Sequence, residues 1–300
     1  MIRPLRCIFV FALTAMGVVQ PNLAYAGGQR ADEPALRAGA HRIVFDGWGG
    51  PALPVWTFIP AGIDPKTAPI VIVMHGARRD ADRYRDQWVE PARSGGFIVV
   101  APEFSKAAFP KANGYNLGGV FDAASGSLRK EDVWTFSAIE PVFDHVVARL
   151  GGSQQRYTIY GHSAGSQFVH RFLFFKPDAR VKRYLAANAG WYTFADSQVE
   201  YPFGLGGIGY EAKMLKQALA KNLVIALGER DSDPDGRLLN KGAGAMRQGR
   251  HRFARGKAFY AAAKAYAERQ GWEFGWSLRV VEGVAHSNGK MAPELADLIR

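Results

Sequence analysis

Short uninterrupted apolar runs alternate with longer stretches of helical period along most of this chain. "IVIVM" at Ile70–Met74, "FIVV" at Phe97–Val100 and "LVIAL" at Leu223–Leu227 hold no polar position. Strands buried on both faces of a parallel sheet have this pattern. Further strands are expected at His41–Phe45 and Val55–Ile59, split by a Gly/Pro turn from Gly47 to Pro54, and at Tyr157–Tyr160, Tyr184–Asn188 and Ser277–Val281. Helical spacing covers Asp82–Arg93, Val133–Leu150, Ala164–Phe175, Glu211–Lys221, Arg252–Gln270 and Pro293–Arg300. Pro141 inside the second of these predicts a late start or a kink there. Two segments, 103–131 and 190–210, lack either period and read as loop excursions that could together form a cap.

Alternation of strand and helix predicts an α/β fold with a mostly parallel central sheet and helices on both faces. The 300 residues, 48% of them hydrophobic, suffice for a large core. One domain is expected over residues 40–300, after an N-terminal extension at 27–39. Residues 1–26 read as a secretory signal peptide: Arg3 and Arg6, an apolar run from Cys7 to Val19, then Ala24-Tyr25-Ala26 as a cleavage pattern. An uncleaved anchor would need a longer apolar run. The mature protein is therefore expected to be exported, periplasmic or extracellular, with no stable membrane insertion. Cys7 is the single cysteine, so no disulfide, thiolate nucleophile or cysteine metal site is expected after cleavage.

Charge adds a second constraint. The chain carries 38 Lys+Arg against 27 Asp+Glu, a net charge of +11; without Arg3 and Arg6 it is +9. Such a balance suits anionic surfaces or substrates and does not require nucleic acid. The densest basic stretch, Arg247 to Lys257, contains Arg250, His251, Arg252 and Arg255. It is expected to be a solvated loop and helix face.

Candidate chemistry lies where ligands bind in such sheets, at the carboxyl ends of strands. "TIYGHSAGSQF" places Ser163 between Gly161 and Gly165, after a strand and at the opening of a helix. A serine on so sharp a turn needs tiny neighbours two positions away, and it faces the free N–H groups of a helix N-terminus. Ser163 is the expected nucleophile. Its base should follow far downstream, after an acid. His286, in "VVEGVAHSNGKM" just past the last strand, fits better than His251. "LVIALGERDSDPDG" supplies the acid: Asp231 is preferred, with Asp233 as runner-up. The run lacks the glutamate and the glycine pattern of a calcium loop, and no metal site is expected. Oxyanion donors are expected at the amides of Ala164 and of Ala77, in "IVIVMHGARRD", with His75 bracing that loop. Trp191 and Tyr192 leave the sheet at the same edge and are candidates for a substrate wall. Phe203, Tyr210 and Tyr115 are weaker ones.

The pieces "VMHGARRDADRYRDQW", "GHSAG", "LGERDSDP" and "GVAHSNGKM" together resemble the α/β-hydrolase-fold serine esterases, above all the bacterial poly(3-hydroxybutyrate)-depolymerase-like hydrolases, over nearly all of residues 40–300. The resemblance implies Ser163 as nucleophile, Asp231 as acid, His286 as base, and Ala77 with Ala164 as oxyanion donors. Secreted depolymerases of that kind often carry a linker, a separate substrate-binding domain and disulfides. Nothing of the sort is read here, so small-molecule or oligomeric esters, including hydroxyalkanoate ones, are expected rather than solid polymer. No cofactor and no nucleic-acid partner is expected. The same triad could cleave amides, and a non-catalytic binding protein on this fold is the alternative from another class.

Overall fold

Eight strands make one sheet in this computed structural model, which describes residues 34–300. They are β1 (Gly39–Phe45), β2 (Leu53–Ile59), β3 (Ile70–Met74), β4 (Ile98–Pro102), β5 (Tyr157–His162), β6 (Val181–Ala187), β7 (Leu223–Gly228) and β8 (Ser277–Val281). The expected signal peptide, 1–26, and residues 27–33 of the extension lie outside the described residues. Spatial order is β1-β2-β4-β3-β5-β6-β7-β8. The first two pairings are antiparallel and all others parallel.

Eight helices follow in chain order: α1 (Ala81–Gln87), α2 (Val89–Gly95), α3 (Ile139–Leu150), α4 (Ala164–Phe175), α5 (Ala212–Ala220), α6 (Ala243–Met246), α7 (Arg252–Gln270) and α8 (Asn288–Leu295). Period two along the central strands divides the core. Ile70, Ile72 and Met74 pack with Ile98 and Val100 toward α3, α4, α5 and α7. Val71, Val73, Val99 and Ala101 pack toward α1, α2 and α8. This two-sided burial explains the uninterrupted apolar runs. Among the described residues no helix is long and apolar enough to cross a membrane.

Three local expectations resolve differently from their simplest reading. The stretch from Val133 starts as short 3-10 turns, and α3 begins only at Ile139, so Pro141 lies in its first turn, where no intrahelical acceptor is needed. The last helix begins at Asn288, ahead of the expected Pro293, because Met291, Ala292 and Leu295 must face the core. The basic stretch is not a solvated face throughout: Arg252 is 3% and Arg255 0% exposed. Three residues apart in the first turn of α7, they point to one side, and that side is inward.

Arg255 belongs to a set of buried guanidinium groups that hold loops by their carbonyls. It donates to the carbonyls of Gly249, Gly190 and Asn240 at 2.6–2.9 Å. Arg171 donates to Thr193 Oγ1 and to the carbonyls of Asn116 and Gln167 at 2.8–3.1 Å. Arg79 donates to the carbonyls of Phe104, Phe109 and Lys111 at 2.6–3.1 Å. A planar fork of five donors suits several carbonyls at once, and those carbonyls would otherwise be buried without partners.

Candidate active site

The parallel strands deliver the site. β3 pairs Met74 with Gly161 of β5, and β5 pairs His162 with Ala187 of β6. The loops after β3, β5, β7 and β8 therefore emerge side by side. Chain order reverses direction between β3 and β5, the place where such sheets open a crevice.

Ser163 occupies the turn between β5 and α4 at φ 59°, ψ −113°. A serine in so sparsely populated a region stores about 1–3 kcal/mol of strain. The flanking glycines make it attainable. A Cβ on Gly161 would lie 2.2 Å from the Gly165 carbonyl oxygen, and one on Gly165 would lie 2.0 Å from the Met74 carbonyl oxygen. Both contacts are with backbone, which cannot step aside. The Ser163 amide is bonded to the Ala187 carbonyl at 3.0 Å, so the elbow is stitched to β6.

His286 Nε2 lies 3.0 Å from Ser163 Oγ, and its Nδ1 lies 2.7 Å from Asp231 Oδ2. With Nδ1 protonated toward the carboxylate, the Nε2 lone pair receives the serine hydroxyl. The Asp231 side chain is 2% exposed and that of His286 28%, a shielded acid behind an accessible base. Asp233 is exposed and bonds the Asp235 amide in a local turn, while Asp235 pairs with Lys241. Asp231, not Asp233, is thus the carboxylate at the imidazole. Among the described residues no group of three His, Cys, Asp or Glu is disposed to hold a metal ion.

Ala164 opens α4, so its amide has no acceptor within the helix. Ala77 borders the cavity beside Ser163. A Cβ on Gly76 would lie 2.5 Å from the Tyr84 hydroxyl, so the Ala77 loop runs hard against α1. His75 holds this loop from beneath: Nδ1 is 3.1 Å from the Gly76 carbonyl, and Nε2 accepts from the Phe104 amide at 3.0 Å. Burial pushes its pKa down to about 3, so it stays neutral.

His162 lies next to the triad, its ring centroid 4.6 Å from that of His286. Burial, then the nearby His286 and Arg252, pushes His162 well below the usual range. Its Nδ1 is bonded to the Tyr84 hydroxyl at 3.2 Å. Asn188, at φ 51°, accepts from the Gly228 amide at 2.8 Å and ties the end of β6 to the turn that carries Asp231.

The substrate wall differs from expectation. Trp191 and Tyr192 do leave the sheet at this edge, but neither borders the cavity. Tyr192 is fully buried and stacks on Phe259 at 4.5 Å. Trp191 packs between Phe203 and the guanidinium of Arg171. Tyr115 stacks on His75, and Tyr210 packs on Phe174. The excursions 103–131 and 190–210 touch each other, with the Tyr201 hydroxyl bonded to the Leu117 carbonyl at 3.2 Å. Neither lines the cavity. These rings go inward because the hydrophobic stabilisation of burying an aromatic exceeds that of a half-wet wall.

The cavity, about 430 Å³, is bordered instead by α1 with the turn before it and by the loop 230–238. Five arginines reach it: Arg78, Arg83, Arg230, Arg237 and Arg252. Arg83 pairs with Asp80 at 3.3 Å and Arg252 with Asp231 at 3.4 Å. Arg78, Arg230 and Arg237 have no acidic partner among the described residues. Sequence reading missed this charge, although Arg78 and Arg230 stand next to motif residues already singled out.

No family profile matches the chain, and no curated protein does. Solved structures do. Poly(aspartic acid) hydrolase-1 from Sphingomonas sp. KT-1 is 44% identical, with a TM-score of 0.85 over 88% of this chain and 99% of that one. The LpqC poly(3-hydroxybutyrate) depolymerase from Bordetella parapertussis is 35% identical, with a TM-score of 0.81 over 87% of this chain and 90% of that one. An S-formylglutathione hydrolase from Agrobacterium tumefaciens, 16% identical with a TM-score of 0.54 over 89% and 95% of the two chains, shares the fold. Identity at the first two levels, over almost the full length of both neighbours, goes with a common hydrolase scaffold, and the chain belongs to the poly(3-hydroxybutyrate)-depolymerase-like hydrolases of the α/β-hydrolase fold.

Proposed function

We propose that this chain is an exported serine hydrolase that cleaves acyl bonds in an anionic oligomer through an acyl-enzyme. The observation that carries the reading is a Ser163–His286–Asp231 relay opening into a cavity with three guanidinium groups that lack acidic partners among the described residues. Ser163 Oγ attacks the carbonyl carbon while its proton passes to His286 Nε2. Asp231 holds the imidazole and stabilises the cation formed. The oxyanion accepts bonds from the amides of Ala77 and Ala164, each donor supplying about 3 kcal/mol in the transition state. Collapse expels the leaving group, which takes the proton from His286. Water then enters and gives a proton to His286 as it attacks the acyl carbon, and collapse releases the acid as that proton returns to Ser163 Oγ.

Unpaired arginines at the rim favour substrates with repeated carboxylates, since each carboxylate can take a bidentate bond. The amide-linked chain in the name of the 44%-identical neighbour has that chemistry. Hydroxyalkanoate esters are the second reading, supported by the 35%-identical depolymerase, though such chains are neutral between their ends. Purified protein would be given poly(aspartic acid), hydroxybutyrate oligomers and p-nitrophenyl esters in parallel. Faster cleavage of the polyanion is expected, with every activity and fluorophosphonate labelling lost in Ser163→Ala. Retained turnover in S163A would refute the nucleophile. Preference for the neutral oligomers would favour the second reading.

A further inference from the structure

Behind the triad acid lies a second, opposite charge that the reaction as written does not use. Arg252 Nη1 donates to Asp231 Oδ1 at 3.4 Å, the oxygen not engaged by His286. The two side chains are 4% and 2% exposed. Arg252 Nη2 donates to the Arg237 carbonyl at 2.7 Å, and its Nε is buried without a partner. The backbone joins the same contact: the Phe253 amide bonds the Asp231 carbonyl at 3.0 Å. The first turn of the nineteen-residue helix α7 is therefore docked on the triad acid.

We propose that Arg252 is a positioning residue for Asp231 and sets part of the pH dependence of the triad. The proposal rests on the triad reading above. Two effects follow from one bond. Holding Oδ1 fixes the rotation of the carboxylate, so Oδ2 stays directed at Nδ1. A permanent cation behind the acid also offsets part of the field with which Asp231 stabilises the imidazolium.

Other groups act on the same ring. From β5 comes His162, buried and neutral. From the loop after β7 come Asp231, Asp233 and Arg230, with Arg237 farther along. Across the cavity, Asp80 and Arg83 pair with each other, and Arg78 stands on the oxyanion loop. Of all these, only Asp231 bonds the imidazole, and only Arg252 is a buried charge bonded to that acid. Exposed charges at the rim are screened by salt far more strongly than the buried pair.

The experiment is the pH dependence of kcat/KM for a p-nitrophenyl ester, in the full chain and at high salt, for wild type, Arg252→Gln and Arg252→Lys. In R252Q the acidic limb moves up by about one pH unit, because a cation no longer offsets the field of Asp231. In R252K the limb returns to within about 0.3 unit of wild type, because the charge is restored, while kcat stays several-fold low, because the fork is not. A merely structural arginine would lower the melting temperature and leave the limb where it was, and that result overturns the proposal. Should R252Q fail to fold, R252K decides alone: a limb displaced by a full unit, or an unchanged kcat, overturns it. Fluorophosphonate labelling of S163A, run beside these, separates failure of this inference from failure of the triad itself.

Discussion

Replacing Gly165 by alanine tests the physical reason for the elbow. The new Cβ would lie 2.0 Å from the Met74 carbonyl oxygen, 2.7 Å from its carbon and 2.9 Å from the His75 carbonyl oxygen. Ordinary contact begins near 3.4 Å, so about 1.4 Å must be found by moving α4 away from the end of β3. All three atoms struck are main chain, and the chain they belong to continues directly into Gly76 and Ala77. Overpacking of this kind costs about 1–3 kcal/mol of stability, which for a chain of this size lowers the melting temperature by about 2–10 °C. The catalytic loss should be larger, because a displacement near 1 Å between nucleophile and oxyanion donors costs about 100-fold. Gly165→Ala would be compared with Gly190→Ala, whose Cβ meets only the adjustable Gln167 side chain at 3.1 Å. Thermal melts and kcat/KM on a p-nitrophenyl ester are the readouts. A G165A protein with wild-type melting and activity within threefold would refute the argument that backbone clearance, not glycine's flexibility, dictates this motif.

Asp231→Asn should lower kcat by about 10⁴ through loss of the correct imidazole tautomer. It should also cost about 3 kcal/mol in denaturant titration, because the buried Arg252 loses its anion; a purely kinetic effect would contradict the buried pair. Acid should destabilise the fold early. His75, His162 and His170 are buried, and burial holds all three below the ordinary 6.5, His75 at about 3. The unfolded chain therefore takes up their protons first, so stability is full above about pH 6.5 and falls as pH drops below it. By pH 5.5 each histidine has removed about 1 kcal/mol, measurable as a lower urea midpoint than at pH 7.5; equal midpoints would mean the rings are protonated when folded. The double change Arg230→Gln with Arg237→Gln should raise KM for poly(aspartic acid) at least about tenfold and flatten its salt dependence. The same protein should turn over a neutral p-nitrophenyl ester within about twofold of wild type. Equal losses on both substrates would remove the anion-binding role of the rim.

Parts of this architecture were legible because they depend on local chemistry. The apolar runs at 70–74 and 223–227 read as buried strands by their shortness and β-branched content, and Gly161 and Gly165 around Ser163 report a close backbone approach that each glycine's neighbours confirm. The order Ser163, Asp231, His286 follows from strand ends brought to one edge, and those three side chains do meet. Trp191 and Tyr192 show the limit of that reasoning. Their position along the chain places them at the correct edge, but which way the rings turn depends on Phe259 and Arg171, far away in sequence. Arg252 was hidden for the same reason. Its burial becomes visible only once the first turn of α7 is seen to dock on the loop after β7. The cationic rim was within reach, since Arg78 and Arg230 adjoin residues already chosen for chemistry. Reading the motif loops for charge as well as for reactive groups would have found it.

Arg79 and Arg255 each give several donors to loop carbonyls, and Arg171 joins Asn116 of one excursion to Thr193 of the other. To swing either excursion open would strand a desolvated guanidinium with nothing to bond. Both excursions are consequently fixed parts of the frame, standing apart from the cavity they do not line. New substrate preferences in this scaffold would therefore arise by exchanging side chains on α1 and the loop 230–238 while the excursions stay still.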